Sequence, residues 1–232
     1  VTRSKAGRIR LPNRAGCRRW LGLWLALLLL GPLAGPRAGA YETDQYSNRL
    51  EAISDSRELL NGRVNTALEE IVADWRGPRD DLRFARCLYW KIGGLHWVDR
   101  IERWAMKSPQ VEKLPQRRHR SVFSGAPFFA ARVNAVFGVG RTLKVAGVLI
   151  GSDKLGHFVS QGVKYFGRHQ AGWSEEKLLH LGWRRERMIF GQLTTGVFSN
   201  ADLVANYEGY LFYRSLFEDG VVAGKGPIIG WQ

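Results

Sequence analysis

The stretch SDKLGHFVSQGVKYF, residues 152–166, decides how the rest of this chain is read. Ser152 or Asp153 suits the N-cap of a helix, because a short oxygen-bearing side chain can accept one of the first orphaned backbone N–H groups. Leu155, Phe158, Val159, Gly162, Val163 and Phe166 then recur at steps of three and four, the period of one helix face. Asp153, His157, Gln161 and Lys164 or Tyr165 fall on a second stripe, opposite the apolar one.

The same period continues on both sides. Downstream, an amphipathic charged helix is expected from about Glu175 to Phe190, and a last helix from Asn200 to Phe217, entered through Thr194, Thr195, Gly196 and Ser199. Upstream, Thr142 to Ile150 is rich in valine and leucine around Gly147, which suits a short strand or hairpin near 141–151. Residues 107–125 hold Pro109, Pro115 and Gly125 without a sustained period and read as a loop, and Ala126 to Val136 suits an apolar helix. His96 to Met106 reads as a short helix, and Asp80 to Ile92 as another that Gly93 and Gly94 end. Leu50, Ile53, Leu60, Val64, Ala67, Leu68, Ile71 and Trp75 predict a long first helix from Asp44 to about Trp75, weakened at Asn61 and Gly62. The class is mainly α: one helical domain over 41–219 with a short hairpin, then an irregular tail over 220–232.

The first forty residues are of another kind. Seven Arg and Lys residues and no acid fill the first nineteen, and Trp20 to Leu30 is an unbroken apolar run of eleven. Eleven helical residues fall short of about 30 Å of hydrocarbon at 1.5 Å each. Gly31, Pro32, Gly35 and Pro36 break the run, and Ala38, Gly39 and Ala40 supply the small residues a signal peptidase needs. A signal peptide cut after Ala40 is expected, with the working protein beginning at Tyr41. No cysteine follows the run to carry a lipid. The whole chain carries +14, and removal of the leader leaves 27 basic residues against 21 acidic, a net of +6. That suits attraction to an anionic membrane surface or envelope polymer and lacks the dense basic stripe of a nucleic-acid binder. The compact run Arg117, Arg118, His119 and Arg120 reads first as a solvated loop and second as an anionic contact. Cys87, the sole cysteine after Cys17 leaves, sits among Phe84, Leu88 and Tyr89 and reads as a small core residue.

For chemistry, the candidates are polar residues at helical spacing. His157 with Asp153 aligns an imidazole and an acid, and Asp202 and Asn206 form a polar stripe amid Leu203, Val204, Tyr207 and Tyr210 on the last helix. Polar groups among bulky apolar ones must find partners or bear a large desolvation cost, so the two stripes are expected to meet. Lys154, Gln161 and Asn206 are candidate binding residues beside them, as are Asp44 and Asn48 at the start of the first predicted helix. No Gly-x-Ser-x-Gly, His-Glu-x-x-His or Cys-x-x-Cys occurs, and Gly138 and Gly140 do not complete a phosphate loop. Asp153, His157 and Asp202 could ligate a metal only if folding gathered them, so no metal or cofactor is assigned.

Asp153, Lys154, His157 and Phe158, with Tyr165 and Phe166 following, resemble the Asp-Lys-x-x-His-Phe segment of VanZ-like proteins and YfiM-type lipoproteins over about fourteen residues. The resemblance implies a bacterial cell-envelope setting and no particular reaction. Two readings follow. The first is an exported helical domain that binds a membrane surface or partner, its polar stripes fixing helix packing. The alternative is an envelope hydrolase or transferase with His157 as general base, oriented by Asp153 or Asp202.

Overall fold

Ala146 and Gly147 both adopt positive φ, 51° and 82°, and join two antiparallel strands, β1 (Thr142–Val145) and β2 (Val148–Gly151). Two consecutive left-handed residues give the turn whose twist matches paired strands, so the expected hairpin forms with Leu143 opposite Ile150. In this computed structural model residues 43–94, 98–131, 134, 138–218, 224 and 226–230 are described. The proposed leader and cleavage site, His96 with its neighbours, and much of the glycine-rich tail lie outside them.

The hairpin explains why the first helix is shorter than the apolar spacing predicts. It runs from Arg57 to Asp74 (α1), not from Asp44. Asp55 accepts hydrogen bonds from the N–H groups of Ala146 and Gly147, and Ser56 N–H donates to the Lys144 carbonyl. The Asp44 carboxylate accepts from Tyr46, Ser47 and Val122 N–H, closing a turn in place of a first helical one. With these backbone groups committed to loop and hairpin, residues 43–56 stay outside the helix, and Leu50 stands in solvent. Within α1, Asn61 and Gly62 cause no break.

Asp80 caps α2 (Asp81–Ile92) by accepting from Arg83 N–H, and Gly93 ends it. A short α3 (Arg100–Lys107) follows. Of the expected 126–136 helix, Phe128–Ala130 form a single tight turn whose two phenylalanines are exposed, and Asn134 is helical, its carbonyl accepting from Gly138 N–H. The run Arg117 to Arg120 is a similar turn with Arg117, His119 and Arg120 exposed, as a solvated loop should be.

From Asp153 the chain is helical to Gln170 in three contiguous pieces: α4 (Asp153–Gly156), a wider π-helical turn π1 (His157–Gln161), and α5 (Gly162–Gln170). Ser174 caps α6 (Glu175–Arg185), which continues as a second wide segment π2 (Glu186–Thr195). Ser199 caps α7 (Asn200–Phe217), whose bounds match the sequence reading. π1 and α5 pack along α7, with α2 against α5 and α3 against α4. At the crossing the backbones touch: a Cβ on Gly162 would lie 2.5 Å from the Gly209 carbonyl carbon, and one on Gly209 would collide with the Phe158 carbonyl oxygen. A chain of aromatic contacts, Trp75 to Phe84 to Phe217 to Phe166, with centroids 5.4–5.6 Å apart, ties α2, α5 and α7 together. Cys87 is half-buried against this core. No helix among the described residues is long and apolar enough to cross a membrane.

Candidate functional site

Lys154 is the centre of the most unusual feature of the molecule. Its ammonium is 2.6 Å from Asp153 Oδ2 and 2.5 Å from Asp202 Oδ1, and all three side chains are 5–8% exposed. One turn along, His157 places Nε2 3.2 Å from Asp202 Oδ2 and Nδ1 3.0 Å from Asn206 Oδ1. The two polar stripes therefore meet across the α4–π1 and α7 contact. The stripe carrying Asp153 is not a solvent face opposite the apolar one: Asp153, Lys154 and Tyr165 are buried, and His157 is 23% exposed. The close crossing at Gly162 and Gly209 brings the helices near enough for side chains to reach across. The wide turn begins at His157, the kind of local unwinding that re-aims side chains at functional positions.

Several members were not singled out in the sequence. Thr43 Oγ1 donates to Asp153 Oδ1 at 2.6 Å. Glu186 is buried at the start of π2, its Oε1 accepting from Ser199 N–H. Asp99 and Glu102 are buried on the α3 side, where Gly156 leaves room for them: a Cβ there would be 3.2 Å from Glu102 and 3.4 Å from Asp99. Asp99 accepts a short hydrogen bond from Ser160. Periodicity carries a signal for two of these, since Glu186 extends the buried step Leu178, Gly182, and Glu102 lies four residues after buried Val98.

The charges respond to this crowding. Burial pushes the Asp202 carboxyl up, but the facing His157 and Lys154 outweigh it and hold it below the usual range. Burial, then repulsion from Asp153 and Asp99, drives Glu102 well above its ordinary value. Burial and the Asp202 charge raise Glu186 to about 6, and burial raises Asp99. Near Lys154 and His157 there are thus more buried carboxyls than cations.

Chemically, His157 is a well-oriented imidazole whose two ring nitrogens both face oxygen atoms. With Nδ1–H donated to Asn206, Nε2 points its lone pair or its second proton at Asp202. Among the described residues no serine hydroxyl or cysteine thiol is hydrogen-bonded to His157; Ser160 serves Asp99 and Ser199 caps α7. Gln161 is half-buried at the end of π1 and makes no hydrogen bond with the cluster among the described residues. Asp44 and Asn48 bond elsewhere: Asp44 to its own turn, Gln116 and Val122, and Asn48 to Thr142 Oγ1 at 3.2 Å.

A second feature lies on α6. Leu179, Trp183 and Met188 are 44, 41 and 54% exposed. Cations surround the aromatics, with Lys177 Nζ 4.1 Å from the Trp173 ring centre and the Arg187 guanidinium 5.0 Å from that of Trp183. His180 stacks on Trp183 at 6.1 Å. Two open grooves of about 400 and 670 Å³ run along this face between Trp173 and Met188.

No family model, curated protein or solved structure matches the chain.

Proposed function

We propose that the chain is an exported cell-envelope protein whose helical domain rests on an anionic membrane surface through the outer face of α6. The observation that carries this reading is the exposed pair Leu179 and Trp183, one helical turn apart, flanked by His180, Arg184 and Arg187, with Lys177 and Trp173 at the near end. Tryptophan, leucine and methionine gain free energy by entering the headgroup boundary, and Lys and Arg are drawn to anionic lipid. A net of +6 after removal of the leader agrees with that attraction. The seam at Lys154 and His157 then sets the spacing of the helices that carry the face.

Co-sedimentation with phosphatidylglycerol vesicles and with phosphatidylcholine vesicles tests the proposal. Binding to the first, weakened by salt and slight for the second, is expected. Equal binding to both, or none to either, overturns it, and binding to an acidic polysaccharide but not to vesicles transfers the role to a polymer.

One observation favours the alternative of a hydrolase or transferase. His157, Asp202, Lys154 and Asn206 converge, and the imidazole reaches solvent. The engagement of both ring nitrogens, and the lack of a serine or cysteine bonded to His157 among the described residues, keep this reading second.

A further inference from the structure

Asp153, His157 and Asp202 each offer one donor atom, and these atoms lie within 4.8 Å of one another. A tetrahedral divalent ion with N and O ligands at about 2.0–2.2 Å holds its donors about 3.3–3.6 Å apart. The widest separation in the set must therefore close by at most about 1.2–1.5 Å, within the reach of side-chain rotation. His157 is oriented as metal-bound histidines are: one ring nitrogen meets the Asn206 amide oxygen, and the other is directed at the carboxylates. Asp202 Oδ1 is fully buried, with the Lys154 ammonium 2.5 Å away. Asp99, Glu102 and Glu186 are buried around the same residues, so the surroundings of the set are rich in carboxyl oxygen.

We propose that Asp153, His157 and Asp202 form a site for one divalent first-row transition ion, with the Lys154 ammonium as its intramolecular competitor. Imidazole with two carboxylates favours Zn²⁺ or Mn²⁺ over Mg²⁺ and Ca²⁺, which prefer oxygen alone. Lys154 holds the two aspartates together when the ion is absent and swings aside when it binds. The site is separate from the α6 face, so it stands or falls independently of membrane binding.

Equilibrium dialysis of the purified chain against Zn²⁺ should give one ion per molecule, not displaced by Mg²⁺. His157→Ala and Asp202→Asn should lose it, His180→Ala should keep it, and Asn206→Ala should weaken it by about 10- to 100-fold, as loss of an orienting partner does. Lys154→Met should bind more tightly than the parent chain and gain thermal stability on adding Zn²⁺. No stoichiometric binding, or equal binding by His157→Ala and Asp202→Asn, overturns the site. Should those variants fail to fold, Mn²⁺ added to the parent chain decides: broadening of the His157 ring resonances first supports the site, and broadening confined to His119 or His180, or none, removes it.

Discussion

The seam between α4–π1 and α7 and the outer face of α6 both carry basic side chains and a histidine, yet their physics is opposite. In the seam, Lys154 and Asp202 are 5–6% exposed, so their charges have been taken out of water. On α6 and at its two ends, cations lie over tryptophans at the surface. A buried ion pair is worth little against an apolar replacement of both members, but removing one member strands the other, at about 3–5 kcal/mol. Exposed pairs are worth about 0–1 kcal/mol. The seam is therefore where substitutions affect stability, and α6 is where they affect what the protein touches.

The largest effect should come from Lys154→Met, which leaves Asp153 and Asp202 facing each other without the ammonium. Urea unfolding without added metal should show a loss of about 3–5 kcal/mol. A loss below about 1 kcal/mol would mean the seam is effectively wet and the contrast with α6 is false. Next is the crossing itself. Gly209→Ala puts a methyl group into the Phe158 carbonyl and should cost about 1–3 kcal/mol or more. Gly62→Ala on α1 meets nothing within 4 Å and should instead stabilise by up to about 1 kcal/mol. If both substitutions move stability the same way, the crossing is looser than described.

A smaller effect sets the seam apart by pH. Glu186 has a folded-state value of about 6, above the ordinary 4.5, so between those values the folded state holds more protons than the unfolded one. Stability should therefore fall as pH rises from about 4.5 to 6, by at most about 2 kcal/mol from this residue and less where water screens it. Glu102 and Asp99 are raised too and act in the same direction. Glu186→Gln keeps an acceptor for Ser199 N–H and should flatten the slope; an unchanged slope would assign it to the other two carboxyls.

How far the sequence could be read follows from the same contrast. α7, α2 and the hairpin were legible because Ser199, Asp80 and the positive-φ Ala146–Gly147 pair settle them within a few residues. The start of α1 was not, since Asp44 and Asp55 bind groups 78 and about 92 residues away. The meeting of His157 with Asp202 and Asn206 followed from the cost of burying unpartnered polar groups. The burial of the Asp153 stripe did not follow, because helical spacing places residues on a face without saying what covers it. Glu186, among Arg184, Arg185 and Arg187, looks like part of a solvated run until Gly182 is seen to lie against Tyr165.

The most direct test of the account is the partition of Arg184→Gln/Arg187→Gln onto phosphatidylglycerol vesicles, read beside its melting temperature. Each Lys or Arg near an anionic surface contributes about 1 kcal/mol, so losing two should lower the partition coefficient about 30-fold. The account predicts that fall with the melting temperature unchanged. An unchanged partition coefficient, or a fall accompanied by a large loss of thermal stability, would contradict it.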